Sequence, residues 1–196
     1  MKKLISILLV LVLSIGLVSF TLAEEAEVAD EGTGTQFEKV LLQKGTLMKK
    51  EFLNITTFET NPSSSYSNEE IEGQAAVLTD MTTGSKVFAL RLEHSYYNSK
   101  YDSGTSTAVL DLPEIDSVIS TLNSLKTEFA GTLKDYTEYE YKSNSGLKIG
   151  AYYAGSSNKK LYIRFSGSDI VRFDFDRVDL WIKFFEDVKA GIEKLQ

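Results

Sequence analysis

The chain contains no cysteine among its 196 residues. No disulfide can brace it, no thiolate can hold a metal, cysteine–histidine catalysis is excluded, and no cysteine is available for a lipid anchor. Histidine occurs once, as His94. A serine–histidine–aspartate relay could use only that residue, and its members need not be neighbours in sequence. The G-x-S-x-G, H-E-x-x-H, phosphate-loop and dinucleotide fingerprints are all missing. No catalytic residue, metal or cofactor is therefore expected. Positive charge is also short, with 21 Lys+Arg against 28 Asp+Glu. An acidic chain is repelled by phosphate backbones and anionic lipid, which disfavours nucleic acid as a partner. Apolar packing has to supply the stability, and 11 Phe and 10 Tyr are there to supply it.

The N-terminus has a different character. Lys2 and Lys3 precede an apolar run ending near Phe20, and Thr21 and Ala23 flank Leu22. This pattern predicts a secretory signal peptide over residues 1–23, cleaved after Ala23; retention as a membrane anchor is the alternative. Cleavage removes two lysines and no acid, so the formal charge moves from −7 to −9 and no membrane span remains. Residues 24–36, acidic and poor in large apolar groups, read as a flexible lead-in. Residues 37–196 read as one secreted or extracytoplasmic domain.

Within that domain the apolar pattern predicts an α+β fold of two ββββα repeats, at about 46–131 and 132–196. Strands are expected at 51–59, 73–80, 86–94 and 105–112, then a helix from about Pro113 with Ile115, Val118, Ile119, Leu122, Leu125 and Phe129 on one face. Gly131 marks its end. Strands then recur at 135–143, 147–154, 159–166 and 169–175, followed by a helix over 177–195. Residues 73–92 lie over 146–165 at an offset of 73, matching Gly73 to Gly146, Lys86 to Lys159 and Arg91 to Arg164. Beyond a ten-residue insert the offset becomes 63, matching Asp111 to Asp174 and Asp116 to Asp179.

The aspartates of "VLDLPEIDSV" and "RFDFDRVDLW" read as helix-start devices, with Asp176 as N-cap and Asp179 reaching back to it. A metal site from Asp174, Asp176 and Asp179 is the rival reading, but the glycine and distal glutamate of a calcium loop are absent. Asp111 and Asp174 are placed facing out from the core. His94 shares the parity of Phe88, Leu90 and Leu92 and reads as a partly buried strand-end residue. The candidate ligand contacts are Tyr96, Tyr97 and Tyr101, which crowd the insert 95–104, with Arg91 and Arg164 as repeated secondary candidates. Tyr136, Tyr152 and Tyr162 fall on the polar side of their strands, where packing beneath a helix is the favoured account.

The doubled ββββα order resembles the Whirly single-stranded DNA-binding proteins and, more loosely, the PUR repeat proteins. "EGQAAVLT" (72–79) is similar to the Whirly strand motif K-G-K-A-A-L through Gly73, Ala75 and Ala76, with Glu72 and Gln74 where that motif has lysines. The resemblance implies two packed antiparallel four-stranded sheets, closed by two helices, in a fold whose members can form homo-oligomers. The missing lysines turn the expected function away from nucleic acid and toward an exported, non-enzymatic binding module for a protein or saccharide. Single-stranded nucleic acid and a hydrolase without a recognisable motif remain as alternatives.

Overall fold

Two antiparallel four-stranded sheets and the helices that follow them make up the protein. The computed structural model describes residues 34–60, 68–99, 102–155, 158–165 and 170–196, all within the unit Gly32–Gln196. The expected leader and residues 24–33 of the lead-in lie outside the described residues. Sheet one has the order β1 (Met48–Glu59), β2 (Asn68–Asp80), β3 (Lys86–Ser99), β4 (Asp102–Asp111). Sheet two has the order β5 (Thr137–Lys142), β6 (Lys148–Tyr153), β7 (Lys159–Arg164), β8 (Ile170–Asp174). A short helix α1 (Gln36–Leu41) precedes sheet one, α2 (Leu112–Glu128) follows it, and α3 (Val178–Glu193) follows sheet two through the 3-10 turn Phe175–Arg177.

One core joins both repeats. Ala75, Leu90, Leu92 and Leu110 from sheet one meet Ile149, Ala151, Leu161, Ile163 and Val171 from sheet two. Ile115, Val118, Leu122 and Leu125 of α2 complete it with Trp181, Phe185, Val188 and Ile192 of α3. At Gly73 the helix α3 comes so near β2 that an added Cβ would lie 2.9 Å from Phe184 Cζ. The glycine of "GQAA" is thus set by helix packing.

Helix α1, an element absent from the pattern reading, covers the other face of sheet one. Phe37 seats on Ala76, Leu78 and Ala89, and Ala76 and Ala89 are direct cross-strand partners. Burial on both faces explains the uninterrupted "AAVL", which shows no alternation. The Thr35 side chain caps α1 by accepting from the Glu38 N–H at 3.1 Å. Thr35 and Gln36, the last two residues of the expected lead-in, therefore belong to the packed structure.

The duplication survives in the architecture, but a constant offset does not. With Lys86 laid on Lys159, the hairpin pairs Thr79↔Lys86 and Tyr153↔Lys159 show one residue fewer in the second turn. The strand-two offset becomes 74, so Gly73 matches Leu147 and not Gly146. Gly146 instead sits in the β5–β6 turn at φ +83°, a conformation glycine adopts without strain. A one-residue slip exchanges sheet faces, and the shorter turn absorbs it.

The helix-start aspartates also differ from expectation. Asp111 is the N-cap residue of α2, its N–H donating to Glu114 at 3.0 Å, and its carboxylate also accepts the N–H groups of Gln36 at 2.6 Å and Phe37 at 3.4 Å, tying down α1. Asp176 lies inside the 3-10 turn, and the α-helix proper begins after Arg177 with no side-chain cap. Asp179 bonds to Lys126 at 2.6 Å, and Asp116 to Lys189 at 2.6 Å. The offset of 63 relates Asp116 to Asp179 and Lys126 to Lys189, so the two bridges exchange partners between repeats. Each joins the start of one helix to the end of the other, which fixes α2 and α3 as antiparallel. Bridges this exposed contribute only about 0–1 kcal/mol each; they record the internal symmetry more than they stabilise it.

Candidate functional site

Among its described residues the insert 95–104 is strand, not a loop. Residues 95–99 and 102–104 extend β3 and β4 into a longer hairpin, with Ser95↔Thr105, Tyr96↔Gly104 and Tyr97↔Ser103 as partners. Serine, threonine and tyrosine suit strands, so the ladder simply continues. Tyr96 shares the inward face of Leu90, Leu92 and His94. Its ring lies over Gly104, where a Cβ would approach it to 2.7 Å, and stacks on His94 at 5.8 Å between centroids. The side chain of Tyr97 and the whole of Tyr101 lie outside the described residues.

His94 is more buried than expected, at 1 % exposure. Its ring also stacks on Phe165 at 5.5 Å, linking the two repeats, and its Nε2 lies 3.2 Å from Glu69 Oε1. The Thr60 hydroxyl donates to Glu69 Oε2 at 2.9 Å and to the Glu69 carbonyl. In this cluster the carboxylate stands between the hydroxyl and the imidazole.

Arg91 and Arg164 occupy different settings. Arg91 donates to Gln74 Oε1 at 2.5 Å, pairs with Glu93 and lies 5.0 Å above the Phe52 ring. Gln74 in turn donates to Glu72 at 2.8 Å, and Glu72 and Glu93 are direct cross-strand partners. Arg91 thus relieves a like-charge pair that would destabilise the sheet. Glu59 and Glu70 are also partners, which leaves this outer face acidic.

Arg164 belongs to the outward face of sheet two. The register sets that face in three rows. Glu138, Tyr152, Lys160 and Asp174 form the first; Glu140, Gly150, Tyr162 and Arg172 the second; Lys142, Lys148, Arg164 and Ile170 the third. Five cations and three carboxylates give the face a net charge of +2, on a chain of −7. Lys148 pairs with Glu140 at 2.6 Å and Lys160 with Asp174 at 2.5 Å. Among the described residues Lys142, Arg164 and Arg172 enter no ion pair. The row Lys142–Lys148–Arg164 sets three cations on adjacent strands, about 4.8 Å apart from one to the next, and Arg172 lies in the next row on the strand beyond.

Tyr162 organises the middle of this face, where it is buried at 2 % exposure. Its ring lies over Gly150, where a Cβ would be 2.6 Å from the phenol. Its hydroxyl donates to Glu138 at 2.8 Å and Glu140 at 2.9 Å. Tyr152 lies beside it with ring centroids 6.4 Å apart, and Tyr136, 61 % exposed, donates to Glu138. Burial, then the two carboxylates, push the Tyr162 phenol far above its ordinary value of 10. Glu140 is held below the usual carboxylate range, chiefly by its bond from Lys148.

The folded state keeps the Tyr162 proton where the unfolded chain has lost it. The stability this contributes is complete below pH 10 and is lost as pH rises above that value. Tyr162→Phe is expected to cost about 1–2 kcal/mol at pH 8, because two carboxylates lose a donor. The gap in Tm between wild type and variant should narrow above pH 10. Equal gaps at pH 8 and pH 11 would remove the phenol from this role.

The aspartates proposed as a metal site are dispersed, Asp174 to Lys160 and Asp179 to Lys126. No group of three or more potential ligands gathers among the described residues. An open cleft of about 400 Å³ lies where α2 ends beside β5, lined by Thr127, Glu128, Thr132, Lys134, Thr137 and Tyr139. The Tyr139 hydroxyl donates to Glu128 at 3.2 Å there. No helix among the described residues is long and apolar enough to cross a membrane.

The pattern reading missed Lys142, Lys148 and Arg172. Lys148 shares the parity of Tyr152 within β6, Lys142 that of Glu138 and Glu140 within β5, and Arg172 alternates away from Val171 and Phe173 within β8, which was the available signal. That they stand side by side depends on cross-strand register. No family model, curated protein or solved structure matches the chain.

Proposed function

We propose that the protein is an exported, non-enzymatic binding module on a Whirly-like scaffold, and that it engages its ligand through the outward face of sheet two. The observation that carries this reading is the row Lys142–Lys148–Arg164 beside Tyr152 and Tyr162. Aligning like charges on neighbouring strands costs stability, and an acidic chain offers many alternatives. The burial of His94 between two rings supports a binding role over hydrolysis. Export rests on the leader pattern of residues 1–23. Single-stranded nucleic acid is the second reading, favoured by the same cations and tyrosines.

The test uses the full chain expressed with its leader in a bacterial host. The product recovered outside the cytoplasm should have the mass of residues 24–196. Immobilised, it is screened against arrays of glycans, peptides and oligonucleotides. Binding should fall at least tenfold in the double variant Lys142→Glu/Arg172→Glu, and remain in Lys134→Glu, which changes charge in the separate cleft. Retention inside the cell at full mass overturns export. Binding indifferent to the double variant overturns the site.

A further inference from the structure

We infer that the outward face of sheet two takes a carboxylate-bearing saccharide, with Arg164 and Arg172 holding a carboxylate, Lys142 adding positive charge two strands from Arg164, and Tyr152 meeting the sugar ring. This rests on the binding-module reading and names its ligand class.

Charge complementarity is the first reason. The two sheets present outward faces of opposite sign, acidic around Glu59, Glu70, Glu72 and Glu93 and cationic around Lys142, Lys148 and Arg164. Arg164 and Arg172 bring planar guanidinium forks that match a carboxylate, and no ion pair with a described residue occupies them. Arg172 stands in the row next to that of Arg164, on the neighbouring strand, so one carboxylate can reach both.

The carboxylates on the same face decide between anionic ligands. Glu140 and Glu138 lie one row and two rows from Lys142 on the same strand. A single-stranded DNA backbone presents phosphates with no hydroxyl donor between them and would press those phosphates against the two carboxylates. A saccharide carries hydroxyls between its charges, and a hydroxyl donates well to a carboxylate. The Tyr162 hydroxyl already donates to both Glu138 and Glu140, which shows that these oxygens accept a hydroxyl in this setting. Tyr152 supplies a half-buried ring for the apolar face of a sugar, held next to Tyr162.

Polygalacturonate is the probe, with its methyl ester as the same sugar chain without charge, poly-glutamate as the same charge without sugar, and oligothymidylate as the nucleic acid. Binding to the purified protein is followed by titration calorimetry at low and raised salt. Polygalacturonate should bind, and the methyl ester and poly-glutamate should each bind at least tenfold more weakly. Lys142→Glu/Arg172→Glu should weaken polygalacturonate at least thirtyfold, and Tyr152→Ala about tenfold, with Tm unchanged within about 2 °C. Lys134→Glu should leave the affinity within about twofold.

Equal affinity for poly-glutamate overturns the saccharide assignment while leaving a binding face. Tighter binding of oligothymidylate overturns it in favour of nucleic acid. Binding of a neutral glycan or a peptide that depends on Lys142 and Arg172 overturns this inference alone. If no probe and no array ligand depends on these residues, the binding-module reading fails with it.

Discussion

Trp181→Ala is expected to lower stability by about 4 kcal/mol, the range found for removing a large buried aromatic. For a domain of this size that corresponds to a fall in Tm of roughly 8–16 °C. Trp181 is fully buried, and its ring centroid lies 4.7 Å from Phe58, 5.3 Å from Phe173, 5.0 Å from Phe184 and 4.9 Å from Phe185. Phe58 comes from β1 and Phe173 from β8, so one side chain joins the first strand of one repeat to the last strand of the other. Emptying that position detaches three elements at once, with little opportunity for collapse. Among the described residues the indole N–H has no hydrogen-bond partner, an unmet donor that itself costs about 1–3 kcal/mol. Trp181→Phe removes that penalty along with part of the volume, and should cost no more than about 1 kcal/mol. Thermal unfolding followed by circular dichroism separates the two. Equal losses in both variants would mean that the ring volume is not what holds the repeats together.

Gly150→Val is expected to cost about 3 kcal/mol or more through overpacking. A glycine in the interior of a strand weakens it, and replacement ordinarily helps. At Gly150 the sign reverses. Any Cβ collides with the Tyr139 carbonyl oxygen on β5, and reaches 2.6 Å from the Tyr162 ring on β7. The ring can turn away; the carbonyl belongs to the β5–β6 ladder and cannot. Gly150→Ala should therefore destabilise both in the wild type and in a Tyr162→Ala background, by less in the second. A rise in Tm for Gly150→Ala would show that the strands do not approach so closely.

Several parts of this architecture could be read along the chain. Phe88, Leu90 and Leu92 alternate, and Ile115, Val118, Leu122 and Leu125 recur at helical spacing. These are properties of a single element, so local sequence suffices. The repeat was legible as well, since its element order and helix register persist through Asp116 and Asp179. Register between strands was not. The shorter second hairpin shifted strand two by one residue, and the pairing Lys160↔Asp174 replaced the expected counterpart of Ala89↔Asp111. Helix α1 escaped notice because six residues carry too few turns for a periodic signal.

The candidate site divides along the same line. Arg164 was identifiable because it repeats Arg91, yet their surroundings differ: a ladder with Gln74 and Glu93 for one, an open cationic row for the other. Tyr96 looked exposed because its neighbours are polar. It faces inward because an uninterrupted ladder preserves the parity that starts at Phe88.

By itself the amino-acid order determined the order of eight strands and the two long helices, which of their faces are apolar, that the unit is doubled, and that no thiol chemistry is available. Those follow from spacing within one segment and from composition. Tertiary structure alone decided that Lys142, Lys148 and Arg164 stand in a row, that Asp116 and Asp179 bridge to the opposite helix, and that His94 is sealed between Tyr96 and Phe165. Each of those unites residues from separate elements. Their meeting is set by turn lengths, strand register and the packing of two helices on one core, quantities that no single segment contains.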